Sequence, residues 1–209
     1  MRRNVFRKIE GALGAFGGQV PRNVDVSEIY SATVALFCER GFSGTTTKEI
    51  ADRAGVNEVT LFRRFGSKAG LIEAAIGDTL SDVSFGKMLP GEDVKADLLE
   101  IVRNYLETYR KHSGLALTLF AQVPQHPELR AVTPFLLKNL QGVARTLAKH
   151  QSSGRLKPGD PVSFAVALIA PLAVMGFMKE MGLGTGHEGL DVENYVQTYL
   201  QGHGPDTGR

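Results

Sequence analysis

The chain has 209 residues, 43% of them hydrophobic, which is enough to bury a core without staples and excludes a disordered chain. A single cysteine, Cys38, excludes an internal disulfide framework and a Cys-based zinc site, and suits a reducing, cytoplasmic setting. The net charge of +2 is uneven: residues 1–70 hold 11 Lys/Arg against 7 Asp/Glu, the remainder 13 against 15, so the basic front end suits a polyanionic partner.

Residues 1–24 are Gly-rich and basic, with Arg2, Arg3, Arg7, Lys8 and Arg22, and read as a flexible arm able to touch DNA phosphates or the minor groove. Lys8 and Glu10 interrupt the apolar residues of this segment, so no signal peptide is expected. A first helix is expected over 25–40, where Ile29, Tyr30, Val34, Phe37 and Cys38 recur at helical spacing and Gly41 closes it. Cys38 then reads as a core residue. A second helix starts at Thr46 or Thr47, with Thr46 and Glu49 at capping-box spacing and Ile50, Ala51 and Ala54 inward. Asn57 caps a short third helix over 58–65, and Ala54-Gly55-Val56 makes the tight turn of a helix-turn-helix.

Ser67 caps a fourth helix through Leu71, Ile72, Ala75, Ile76 and Leu80. A loop follows over 84–93, and further helices at about 94–112, 114–123, 127–153, 160–182 and 190–202. The fold class is all-α, with a basic arm (1–24), a helix-turn-helix head (25–72) and a larger helical body (73–209). Residues 161–178 carry no charge and approach the length of a membrane span, but Ser163, Pro171 and Gly176 favour a helix buried between others. With Phe164, Leu168, Leu172, Met175, Val192, Tyr195, Val196 and Tyr199, the last two helices are expected to pack on their copies as a four-helix bundle in a homodimer, with no membrane contact.

One ordered string carries the functional signal: Ala32, Leu36-Phe37, Glu39, Gly41-Phe42, Thr45-Thr46-Thr47, Ile50-Ala51, Ala54-Gly55-Val56, Thr60-Leu61-Phe62, Phe65, Ser67-Lys68 and Leu71. It resembles the DNA-binding region of the TetR family of bacterial regulators. The resemblance implies an all-α fold, a three-helix head, a body that dimerises around a ligand pocket, and repression of transcription relieved by a small molecule. Three positions depart from the family pattern, which often has Gly at Val59, Tyr at Phe62 and His at Arg64. Phe62 has no hydroxyl for a phosphate, and Arg63 and Arg64 supply charge instead.

Independently of the resemblance, a recognition helix offers short side chains at its N-terminal end to base edges, here Asn57, Glu58, Val59 and Thr60. Thr60 can touch a thymine methyl, and Glu58 can accept from a cytosine amino group or serve only as a capping or solvated carboxylate. Thr46, Thr47 and Lys48 open the second helix in the manner of a phosphate site. Phe62, Arg63, Arg64 and Lys68 complete the expected DNA-contacting set, while Leu61 and Phe65 are assigned to the head's core.

The expected ligand-contacting set is Phe85, Tyr105, Tyr109, Phe120, Gln122 and Phe135, aromatics with a few polar groups that suit a small apolar effector, with an ordinary packed core as the competing reading. The five histidines are scattered without metal-ligand spacing and read as surface or loop residues, so no metal or cofactor is expected. No nucleophile motif, phosphate loop or paired-carboxylate arrangement appears, and the chain is not expected to be an enzyme. The expected partners are a double-stranded DNA operator, a second copy of the chain and a small-molecule effector. A regulator whose body only dimerises, a membrane-associated sensor and a helical enzyme are the rival readings.

Overall fold

The computed structural model describes residues 25–205, except 82, 84, 85 and 113; the basic arm expected over 1–24 lies outside the described residues. Nine α-helices are described: α1 (Val26–Gly44), α2 (Thr47–Ala54), α3 (Glu58–Phe65), α4 (Lys68–Ser81), α5 (Val94–Lys111), α6 (Leu115–Gln122), α7 (Thr133–Ser152), α8 (Pro161–Glu180) and α9 (Val192–His203). A 3-10 helix at Pro127–Val132 precedes α7, and no strand occurs among the described residues.

Helix starts follow local chemistry. The Asp25, Asp93, Asp160 and Asp191 side chains each accept from backbone N–H groups of the helix they open, satisfying donors that have no intrahelical partner. The first helix breaks at Gly41 (φ 67°, ψ −174°), where the sequence closes it, and one further helical turn carries α1 to Gly44. One element differs from the sequence expectation. The segment expected as one helix over 127–153 is divided, because Pro134 has no N–H to give the Arg130 carbonyl; Thr133 donates to it instead and tightens the turn.

Three apolar cores lie along the molecule. In the first, Ile29, Ala32 and Leu36 of α1 meet Ile50, Ala51 and Ala54 of α2, Leu61 of α3 and Leu71 of α4. In the second, Phe37 and Phe42 meet Ile72 and Ile76 of α4, Leu115 and Leu119 of α6, and Leu129 and Val132. The third fills the body, with Leu98, Ile101 and Val102 of α5, Val143 and Leu147 of α7, Leu168 and Leu172 of α8, and Val196 of α9. Helix α4 therefore sends adjacent residues, Leu71 and Ile72, into different cores; the boundary expected after residue 72 falls inside it.

The expected outer face of α8 requires correction. Leu168 and Leu172 are 0% exposed and point into the body, and Val196 of α9 is equally buried. The outward side of α8 is instead Val162, Val166, Ala170, Val174, Phe177, Met178 and Met181, an almost unbroken stripe at helical spacing. The α8–α9 pair is closed by the Tyr195 and Tyr199 hydroxyls, which donate to the Leu168 and Phe164 carbonyls at 2.6 and 2.9 Å.

Not every histidine is a surface or loop residue, although His112, His126 and His187 do lie between helices. His150 is fully buried with Nε2 2.8 Å from Asp97 Oδ2, His187 Nε2 lies 2.7 Å from the Leu172 carbonyl, and His203 stacks on Tyr199. Asp97 also accepts from the Gly91 N–H, so the buried pair ties the loop before α5 to the end of α7. Lys149 adds hydrogen bonds to the Pro90 and Gly91 carbonyls. Burial pushes the Cys38 thiol up to about 11, in keeping with a side chain packed against the second core.

Candidate nucleic-acid interface

The angle between α2 and α3 originates in three residues. Gly55 takes the left-handed conformation (φ 66°, ψ 31°), where an L side chain is strained, and its N–H closes α2 on the Ala51 and Asp52 carbonyls. Asn57 caps α3 by accepting from the Val59 N–H at 2.8 Å. Thr46 caps α2: its hydroxyl accepts from the Glu49 N–H and donates to the Glu49 carboxylate at 2.9 Å. That hydroxyl, followed by Arg40, holds the Glu49 carboxyl below its usual range.

The head is also braced by ion pairs. Arg53 makes two hydrogen bonds to Glu39 (2.8 and 3.1 Å), and these hold the Glu39 carboxyl below its usual range. Arg40 pairs with Glu49. These cations are engaged within the head, whereas Lys48, Arg63 and Arg64 are exposed. The side of α3 away from the core presents Val59 (71% exposed) and Phe62, with Asn57 exposed at its start and Thr60 half-buried. A helix end with small and apolar side chains, flanked by exposed cations, is chemically matched to base edges between two phosphate strands.

Four expected contact residues make further interactions within the head. The Thr47 hydroxyl donates to Glu58 Oε1 at 2.6 Å, so this carboxylate joins the start of α2 to the start of α3. Lys68 Nζ donates to the Phe42 carbonyl at 2.8 Å and lies 4.3 Å from the centre of the Phe42 ring. Arg64 lies 5.8 Å above the Phe65 ring. The Thr47–Glu58 bond had a latent sequence signal, since a helix-turn-helix brings the first residues of its two helices together; the Lys68–Phe42 bond had none.

The expected ligand residues are dispersed. Phe85 lies outside the described residues. Tyr105 and Tyr109 sit in the body beside His187, and the Tyr109 hydroxyl donates to the Gly176 carbonyl and to Glu180. Burial pushes both tyrosines up to about 12. Phe120 is 69% exposed, Phe135 lies against Gly77 of α4, and Gln122 Oε1 accepts from the Phe42 N–H at 2.9 Å. An open crevice of about 600 Å³ lies between α8, the loop before α9, and α9; Met175, Tyr195 and Asn194 line it, and none of the five expected residues that are described does. A polar cavity of about 50 Å³ lies between α4 and α5, beside Thr79, Asn104 and Thr108. No cluster able to hold a metal occurs among the described residues.

Residues 29–75 match the family model described as bacterial regulatory proteins, tetR family, a stretch that covers α2, α3 and most of α1 and α4. This head is a TetR-type helix-turn-helix. The chain is a DNA-binding transcription regulator. It is 39% identical over 79 residues to the uncharacterized HTH-type transcriptional regulator YvkB of Bacillus subtilis, a match spanning 38% of this chain and 42% of that relative. It is 26% identical over 179 residues to the HTH-type transcriptional repressor AcnR of Corynebacterium efficiens, spanning 83% of this chain and 91% of AcnR. The crystal structure of a TetR-family regulator from Mesorhizobium loti superposes with a TM-score of 0.67 at 24% identity, covering 86% of this chain and 96% of that one. That likeness extends the shared TetR-family fold through the body.

Proposed function

We propose that this TetR-family chain acts as a cytoplasmic homodimeric repressor: two heads enter successive major grooves of a two-fold operator, and a small-molecule effector held in the body lowers their affinity. It acts by binding, without turnover. The observation that carries the reading is the exposed face of α3, with Asn57, Val59 and Thr60 at the end where base contacts form, between the exposed cations Lys48, Arg63 and Arg64. In this proposal Thr46 and Thr47 bring the start of α2 to a phosphate, Glu58 and Thr60 meet bases, and Phe62 packs on the sugar-phosphate edge. The head is residues 25–72, the body 73–209, and the arm 1–24 adds nonspecific charge.

The dimer forms on the outward stripe of α8. Pro161–Glu180 is long and apolar enough to cross a membrane, but one side of it is built into the body core by Ala165, Leu168 and Leu172, which favours a second copy of the chain as the cover for the other side. The dispersal of the candidate ligand residues favours, as a second reading, a regulator whose body only dimerises.

The test is selection from a pool of randomised DNA duplexes by the full chain, followed by affinity measurement on the enriched sequence. An inverted repeat bound about a thousandfold or more above random DNA supports the proposal. No enrichment, or enrichment of an unpaired half-site bound by a monomer, overturns it. Release of that operator by a screened metabolite pool separates the effector reading from the second one.

A further inference from the structure

Phe42 is held from four sides where the head meets the body. Its N–H donates to Gln122 Oε1 at the end of α6 (2.9 Å), and its C=O accepts from Lys68 at the start of α4 (2.8 Å). Its ring has the Lys68 ammonium 4.3 Å from its centre and the His126 ring at 4.9 Å. The arrangement depends on the break at Gly41. The positive φ there interrupts the helical ladder and turns a backbone donor toward α6, and a Cβ on Gly41 would stand 2.8 Å from Gln122 Oε1. Only glycine therefore supplies both the bend and the room for the amide.

The second core surrounds this point with Phe37, Ile72, Leu115, Leu119 and Leu129. Apolar packing alone is non-directional and lets one helix slide or pivot on another. A hydrogen bond has a direction and a length, so the Gln122 amide defines where the end of α1 sits on α6. Only three residues separate Phe42, in the last turn of α1, from Thr46, the cap of α2. A displacement of Phe42 therefore passes to the helix-turn-helix over a few residues of chain.

We infer that the Gln122–Phe42–Lys68 latch sets the angle of each head on the body, and through it the half-site spacing of the operator that the dimer selects. Gln122 and Lys68 are positioning residues: they act on where α3 is held, with no base or phosphate contact of their own. This rests on the dimeric DNA-binding reading above. One base pair of extra spacing turns one half-site by about 34° and moves it by about 3.4 Å, so a head held at a defined angle discriminates against it and a pivoting head does not.

The experiment takes the operator selected by the full chain and varies its central spacing by one and two base pairs in each direction. The wild-type protein is expected to prefer one spacing by about tenfold or more over its neighbours, and Gln122→Leu, which keeps volume and loses the acceptor, to compress that preference to about threefold or less. Gln122→Glu retains a carboxylate oxygen for the Phe42 N–H and is expected to keep the wild-type profile. Sequence preference within each half-site stays unchanged in both. A Gln122→Leu profile identical to wild type overturns the inference, and so does equal flattening by Leu and Glu, which would trace the effect to shape. Lys68→Met is the second variant, for use also where Gln122→Leu does not fold. Flattened spacing with an unaltered salt dependence supports the latch, whereas a slope lower by about 0.9 per head makes Lys68 a phosphate contact and overturns its assignment. If the wild-type chain selects no DNA, the failure lies with the proposed function itself.

Discussion

Two substitutions on the same helix, six residues apart, separate folding from assembly. Val174 is 53% exposed on the outward side of α8, whereas Leu168 is 0% exposed on the inward side. In the isolated chain Val174→Glu places a carboxylate in water and costs at most about 0.5 kcal/mol. In a dimer joined by this stripe the same carboxylate is buried and unpaired, at about 3–5 kcal/mol per copy. Two copies raise the cost to about 6–10 kcal/mol, a weakening of the dimer by more than about ten-thousandfold at about 1.4 kcal/mol per decade. A nanomolar dimer would then be monomeric at micromolar concentration. Leu168→Glu puts the charge among Ile101, Val143 and Leu172, and the expected outcome is loss of folded protein. Sedimentation velocity gives the assembly state and circular dichroism the fold. A folded, dimeric Val174→Glu protein would move the interface off α8, and a folded Leu168→Glu protein would refute the assignment of the inner face.

Thr60→Ala is expected to weaken binding to the selected operator by about 1–3 kcal/mol and to leave random DNA unaffected, measured by fluorescence anisotropy on both duplexes; equal weakening on both would remove Thr60 from base reading. Alanine at Lys48 or Arg63 is expected to weaken every duplex alike and to lower the slope of log affinity against log salt by about 0.9 per head, with an unchanged slope identifying a solvated charge. Glu92, held down to about 2 by Lys149 and then Arg155, stabilises the loop before α5 fully above its ordinary value of 4.5 and loses that contribution as pH falls from there toward about 2. Amide exchange of residues 88–93 across that window should show the loop loosening in the wild type, and a Glu92→Gln protein with the same profile would exclude this carboxyl as the cause.

The parts legible in the sequence were those decided by neighbours along the chain. Thr46 with Glu49, Asn57 before α3 and Gly55 between the helices each act within a turn of themselves, and the helix-turn-helix follows from them. The orientation of α8 was not legible, because a helix with apolar residues on every side has a period without a direction; the inward Leu168 and Leu172 then look the same as the outward Val166 and Val174. The break before α7 was missed because the lost donor of Pro134 tightens a turn without ending the helical run. The His150–Asp97 pair and the Gln122–Phe42 bond join residues 53 and 80 positions apart, and no local pattern announces either. The aromatic residues taken as a ligand set shared a composition; whether they share a cavity depends on packing that composition does not encode.

The neighbouring residues Leu71 and Ile72 look into separate cores, and this bears on how such a molecule could be recombined. A head transplanted from a relative would arrive with its own partners for Leu71, and its internal core would close as before. It would work on this body only if the donor's counterparts of Phe37 and Phe42 matched the surface made by Ile72, Ile76, Leu115 and Leu119. The grafting seam is thus a surface running along α4 and the end of α1, with no single point in the sequence at which to cut. Chimaeras that exchange residues up to Leu71 alone should fold in both halves yet be misaligned, while those that carry the Ile72–Ile76 face together with Phe37 and Phe42, and exchange Leu115 and Leu119 to match, should seat the donor's head correctly on the recipient's body.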